Sequence, residues 1–202
     1  PVFTAVCKDR QMTVALKVMG RHNVLNAMVA LAVADENGVP LDAAVRALEQ
    51  FTGFQNRQQI YEKDGITVID DTYNASPVSM IAGLEVLHSM EKAGRRIAVL
   101  ADMKELGPEA PKFHRQIGEW LAEHPVDLLF TLGDLAAEIA EGAQENGGRG
   151  SREFYHFSGE DRDGLYQALS AHLKPGDCVL LKGSNSMKLG QVAARLLEKQ
   201  EK

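Results

Sequence analysis

Cysteine is scarce in this chain. Only Cys7 and Cys178 occur among the 202 residues, each inside an apolar run, TAVCK and DCVLL. They read as small buried hydrophobes, neither a disulfide nor a metal site, and point to a reducing compartment, the cytoplasm. No HExxH, CxxC or other metal-ligand spacing joins the histidines and carboxylates, so no protein metal site is expected. The GxxxxGK[ST] phosphate loop is absent, and so is GxGxxG after the first strand of the repeating region. The longest apolar stretch, AMVALAVA at 27–34, is too short to span a bilayer, which argues against membrane insertion. No signal-peptide pattern is visible. Positive charge is in deficit too: 22 Lys and Arg against 28 Asp and Glu give a net charge of −6. That excludes a general nucleic-acid backbone binder but leaves room for a nucleotide site, which needs only a few donors. The chain opens on Pro1 rather than Met, as a piece of a longer protein would.

What is present is the balance of a soluble globular protein, 45% apolar and 25% charged. The length suits one full α/β domain and part of a second. Residues 2–8 and 12–18 read as strands. Helices are expected at about 22–37 and 41–51, with Gly38 and Pro40 between them. A linker follows at 52–56. Beyond Arg57, apolar runs at 66–69, 96–100, 128–132, 154–157 and 178–181 each precede a helical pattern, at about 78–92, 112–123, 135–146, 161–173 and 187–199. Uninterrupted apolar strands alternating with helices predict an α/β, doubly wound, mostly parallel Rossmann-like sheet. The 144–151 stretch, with its GGRG core, reads as a surface loop.

In such a sheet, ligands meet the carboxyl ends of the strands. Those ends are dense in polar groups. The 70–77 turn offers Asp71, Tyr73 and Asn74: a carboxylate suits a ribose hydroxyl or Mg²⁺, and its neighbours suit ligand contact. The alternative is that Asp71 or Thr72 caps a turn and Pro77 opens the next helix. Asp102 follows the second strand. Lys182, Ser184 and Asn185 follow the last, as a cation, hydroxyl and amide leading toward a helix start. Upstream, His22, Asn23 and Asn26 share one helix face, where an Asn amide suits a purine edge; Asn23 as a mere N-cap is the alternative. Arg57 suits stacking on a base or clamping a phosphate, although a lone Arg is more often a solvated surface residue. Of the histidines, 88, 124 and 172 read as exposed helix residues, while His114 is less easily dismissed.

These residues resemble a family. GRHNVLNAMVALAVA is similar to the H-N-x-x-N-x-x-A-A segment of the Mur ligases, and Arg57 to their arginine at the junction with the last domain. DDTYNASPVSM resembles D-x-Y-N-A-N-P-x-S-M, VLADMKELG resembles V-L-G-D-M-x-E-L-G with a downstream His, and LLKGSNSMKL resembles K-G-S-x-x-M. These are signatures of the family's D-alanyl-D-alanine-adding branch. Ala101 stands where the family usually has Gly, and Ser76 where it has Asn. The amino-terminal UDP-sugar domain, the phosphate loop and the catalytic Glu, His and carbamylated Lys of the central domain are not in the sequence.

The resemblance implies that residues 1–54 end a central ATP-binding domain and that 55–202 form the domain taking the incoming dipeptide, with a hinge at 52–55. It implies ATP with Mg²⁺ in the parent enzyme, and UDP-N-acetylmuramoyl-tripeptide and D-alanyl-D-alanine as substrates joined through an acyl phosphate. The fragment itself is expected to be inactive and monomeric. Nucleotide contacts fall to His22, Asn23, Asn26, Arg57 and Asp71. Dipeptide contacts fall to Tyr73, Asn74, Asp102, Lys182, Ser184 and Asn185, with Lys182 as the carboxylate anchor and Asp102 either orienting the amine or capping a turn. Competing readings are another amide ligase of the superfamily (an amino-acid-adding enzyme or folylpolyglutamate synthase), a non-catalytic Rossmann-like nucleotide module, and a purely structural domain.

Overall fold

The computed structural model describes residues 1–91, 94–145 and 153–198. Most of the 144–151 loop read from the sequence lies outside them. The chain divides into two compact units, Pro1–Phe54 and Gln55–Lys202.

The first unit begins with an antiparallel hairpin, β1 (Val2–Cys7) and β2 (Arg10–Ala15), paired from Val2 opposite Ala15 to Cys7 opposite Arg10. Alternation puts Ala5, Met12 and Val14 on one face, where they bury against Ala27 and Leu31 of α1 (Arg21–Glu36) and Leu41 of α2 (Leu41–Gln50). Gly38, at φ 73°, allows the turn between the helices.

The second unit holds a six-stranded sheet in the order β3-β4-β8-β5-β6-β7. Its strands are β3 (Gln59–Lys63), β4 (Ile66–Asp71), β5 (Arg96–Ala101), β6 (Leu128–Leu132), β7 (Glu153–Phe157) and β8 (Cys178–Lys182). All pairings are parallel except β3 with β4. That hairpin turns on Asp64-Gly65, both at positive φ (51° and 77°), as a two-residue turn between right-twisted strands requires. The expected doubly wound sheet is therefore present, with one edge strand that the sequence reading missed.

Among the described residues, five helices cover the sheet: α3 (Pro77–His88), α4 (Ala110–Glu123), α5 (Ala137–Glu145), α6 (Arg162–His172) and α7 (Leu189–Leu197). Leu165 and Leu169 of α6, with Val192 and Ala193 of α7, pack on Val68, Val99, Phe130 and Leu181. Strand alternation turns Ile69, Ala98, Leu100, Leu129 and Leu180 to the other face, all fully buried, beneath α3, α4 and α5. Both faces are covered, which is why β6 and β8 are buried at every position. The helix expected to run to residue 92 stops at His88, with Ser89 capping it.

Candidate functional site

The five parallel strands point their carboxyl ends the same way, so the turns after β4, β8, β5 and β6 form one polar rim. Its central strand, β8, lies between β4 and β5, and the helix that follows it covers the face opposite to the helices that follow its two neighbours. Asp71 and Lys182 are paired positions across the β4–β8 ladder. Val68 and Leu181 face the α6–α7 layer, so both polar side chains turn to the α3 face. There Lys182 Nζ donates to Asp71 Oδ2 at 2.6 Å and to the Asn74 carbonyl at 3.0 Å. Its stem passes α3 at Gly83, where a Cβ would come within 3.1 Å of Lys182 Cδ. Burial pushes the Asp71 carboxyl above the usual carboxylate range; the charge and hydrogen bond of Lys182, with hydrogen bonds from Gln58, pull the other way.

Lys182, expected as the carboxylate anchor, is engaged within the protein. Only 2% exposed, its ammonium is held inside the protein by Asp71 and Asn74 rather than offered to a ligand. Nor does the chain run from Ser184 straight into a long helix. A 3-10 turn at Asn185–Met187 and a left-handed Lys188 (φ 56°) come before α7. Asn185 is exposed on that turn.

The turn after β4 is fastened from several sides. Asp70 Oδ1 accepts from the Thr72 backbone N–H at 3.2 Å and its hydroxyl at 2.7 Å, an Asx-type turn. Ser76 and Ser79 form a reciprocal capping box, with Pro77 in the first turn of α3. Turn-making and capping thus belong to Asp70 and Ser76, and not to Asp71 or Thr72. The Tyr73 N–H donates to the Asn56 carbonyl at 3.0 Å, and the Arg57 guanidinium lies 4.0 Å above the Tyr73 ring. Asn56 and Gln58 both adopt left-handed φ, 60° and 51°, which bends the segment carrying Arg57. Such backbone costs most residues with a Cβ roughly 1–2 kcal/mol. Tyr73 and Asn74 stay exposed beside this cation.

Asp102, expected either to orient the amine or to cap a turn, meets the turn after β6. Its Oδ1 accepts from the Ala136 N–H and its Oδ2 pairs with Lys104 Nζ, each at 2.8 Å, and the residue is 2% exposed. Gly133 (φ 111°) makes room for it, because a Cβ there would stand 2.3 Å from Asp102 Oδ1. The Ser184 N–H donates to the Asp102 carbonyl at 3.1 Å, while the Ser184 hydroxyl oxygen accepts from the Lys104 N–H at 2.8 Å. A hydroxyl oxygen used as acceptor still has its own proton to donate. His114, fully buried, accepts from the Met103 N–H at Nε2 and meets the Ala110 carbonyl at Nδ1. An N–H can only donate, so the ring is the neutral tautomer protonated at Nδ1. Burial holds its pKa below the ordinary value.

In the first unit, Gly20 (φ 94°) precedes α1 without a side-chain cap, so Asn23 lies inside the first turn rather than at the N-cap. Asn23 Nδ2 donates to the Met19 carbonyl at 2.7 Å, and Asn26 Nδ2 to Asn23 Oδ1 at 3.4 Å. Asn26 is exposed and His22 half-buried.

The sequence reading overlooked Asn56, Gly83 and Lys104. Lys104 lay within a quoted motif. Asn56 and Gly83 carry no signal short of the fold, since each matters only for what a distant strand brings beside it.

A family description, the Mur ligase glutamate ligase domain, matches residues 56–185. A Bacillus subtilis protein named UDP-N-acetylmuramoyl-tripeptide–D-alanyl-D-alanine ligase is 34% identical over 95% of this chain and 41% of its own length. The Mycobacterium bovis protein of the same name is 39% identical over 98% of the chain and 42% of its own length. Among solved structures, MurF from Acinetobacter baumannii superposes with a TM-score of 0.83 at 32% identity, covering 98% of this chain and 42% of that one. MurF from Thermotoga maritima in complex with ADP gives 0.77 at 28% identity, covering 96% and 42%. The chain thus spans about two fifths of the length of the relatives it matches. Motif order, the parallel sheet with its polar rim and these matches agree that the chain belongs to the Mur ligase family.

Proposed function

We propose that this chain is the carboxy-terminal part of a cytoplasmic, ATP-dependent ligase that adds D-alanyl-D-alanine to UDP-N-acetylmuramoyl-tripeptide in peptidoglycan synthesis. The observation that carries the reading is the gathering of the branch-specific residues on one rim. Asp71 ends β4 and Tyr73 and Asn74 follow it, while Ser184 and Asn185 follow the paired strand β8, whose last residue, Lys182, bonds Asp71 and the Asn74 carbonyl. The two relatives quoted above bear that ligase name. In the reaction, ATP phosphorylates the tripeptide carboxylate, the dipeptide amine attacks the acyl phosphate, and amide, phosphate and ADP result. This chain's part is to bind and orient. Residues 1–54 end the ATP-binding domain, with His22, Asn23 and Asn26 toward the base. Arg57 meets the base or phosphates and Asp71 the ribose. Tyr73, Asn74, Ser184 and Asn185 take the dipeptide, with the Ser184 hydroxyl proton available to a carboxylate. No group of three His, Cys, Asp or Glu able to hold a metal occurs among the described residues; Mg²⁺ would arrive with ATP.

The test grafts this chain in place of the matching segment of the Bacillus subtilis relative and offers the hybrid ATP, UDP-tripeptide and a mixture of D-alanyl-D-alanine, L-lysine and diaminopimelate. Product whose mass is that of the dipeptide adduct supports the reading. A soluble, folded hybrid that makes no product, or that joins a single amino acid instead, rejects it.

A further inference from the structure

We infer that Lys182 is a positioning residue: one buried ammonium that holds the Asp71 carboxylate and the Asn74 carbonyl together, and so sets the geometry of the rim without touching either substrate. The inference rests on the nucleotide role proposed above for Asp71. The two bonds join points three residues apart, Asp71 Oδ2 at 2.6 Å and Asn74 O at 3.0 Å, so they close the turn between them into a ring. The ends of that turn are further fixed. Asp71 is locked in register with Lys182 on the neighbouring strand, and Tyr73 hangs from Asn56 and carries Arg57 on its ring. One group assigned to the nucleotide, Asp71, and one assigned to the dipeptide, Asn74, are therefore fastened to one cation, with Tyr73 in the turn between them and Arg57 stacked on its ring.

The surroundings leave Lys182 little else to do. Asp71 is 7% exposed, and without its partner it would be a buried, uncompensated charge. The lysine stem runs close along Gly83 of α3, where a Cβ would stand 3.1 Å from Lys182 Cδ.

The test has two readouts. In the chain itself, carboxyl-carbon NMR follows the titration of Asp71 in wild type, Lys182→Arg, Lys182→Met and Lys182→Gln. The Gln variant keeps a donor without the charge, so the measurement survives if the Met variant does not fold. Losing an opposite charge at this distance should raise the Asp71 midpoint by about one pH unit or more, with Lys182→Arg staying near wild type. Amide shifts at Tyr73, Asn74 and Ala75 should move with it. An unchanged midpoint overturns the positioning role, whatever the enzyme does. In the hybrid ligase, Lys182→Gln should raise KM for ATP about tenfold, with partial rescue by Lys182→Arg. A raised midpoint with unchanged KM for ATP leaves the positioning role standing and removes Asp71 from the nucleotide site. A rise confined to KM for the dipeptide overturns the inference and returns Lys182 to direct ligand binding.

Discussion

Gly183→Ala should be far more harmful than a single methyl suggests, and Ala101→Gly should reverse much of the harm. The two residues follow paired strand positions, Leu100 opposite Lys182. A Cβ at residue 183 would stand 2.6 Å from Ala101 Cβ and 3.3 Å from Leu189 Cδ1. Carbon atoms settle at about 3.5–4.0 Å, so β5 and β8 would have to part by nearly 1 Å at the rim. Overpacking of that kind costs about 1–3 kcal/mol. Ala101→Gly alone removes a buried methyl, about 0.8 kcal/mol, and adds roughly 0.5–1 kcal/mol of backbone freedom to the unfolded chain. If the clash is the cause, the double variant should be more stable than the sum of the two single losses by about 1 kcal/mol or more. Urea unfolding followed through Trp120, the single tryptophan, reports on the second unit alone. Strict additivity would refute the reasoning, as would a Gly183→Ala variant of wild-type stability. The Ala101 found here in place of the family's usual Gly therefore bears on the close approach of the two strands.

Three further outcomes are expected. Asp102→Ala should cost about 1–3 kcal/mol by stranding the Ala136 N–H, whereas Asp102→Asn keeps an acceptor and loses only the half-exposed Lys104 pair, about 0.2–1 kcal/mol; equal losses in urea melts would contradict the capping role. His114 has a lowered folded pKa, so the stability it contributes is complete above its unfolded value of 6.5 and is lost as pH falls through the folded one. His114→Phe should flatten that acid-side decline in melts taken across the window, and an unchanged slope would count against the buried neutral ring. Burial pushes the Cys178 thiol up to about 11, so a thiol reagent at pH 8 should modify it only on unfolding; labelling of native Cys178 at the rate of a free thiol would be inconsistent with its place in β8.

Much of the second unit was legible because its strands are buried on both faces and so appear as unbroken apolar runs, as in LLFTL and CVLLK. Edge strand β3 lies outside the apolar runs because QIYEK is half polar; the Asp64-Gly65 pair was its available signal. The polar rim could be located because strand ends are fixed by the runs themselves. What each rim side chain does was harder, because that depends on the neighbouring strand. β8 is last in sequence but central in space, and its insertion beside β4 makes Lys182 the partner of Asp71, 111 residues away. A lysine followed by Gly-Ser-Asn looks like an anion site until that register is known. Asp102 was ambiguous for the same reason: the N–H it accepts from comes from the turn after β6.

The most direct measurement of the central claim is the substrate split caused by Ser184→Ala in the hybrid ligase. Ser184 is 5% exposed and its oxygen already accepts from the Lys104 N–H; the proposed function gives its proton to the dipeptide. Loss of one such buried hydrogen bond costs about 1–3 kcal/mol, roughly five- to 150-fold in apparent affinity. The account predicts a rise in KM for D-alanyl-D-alanine within that range, with KM for ATP within about twofold of wild type. An equal rise for both substrates, or no change in the dipeptide's KM, would contradict the claim that the strand ends of the second unit receive the dipeptide.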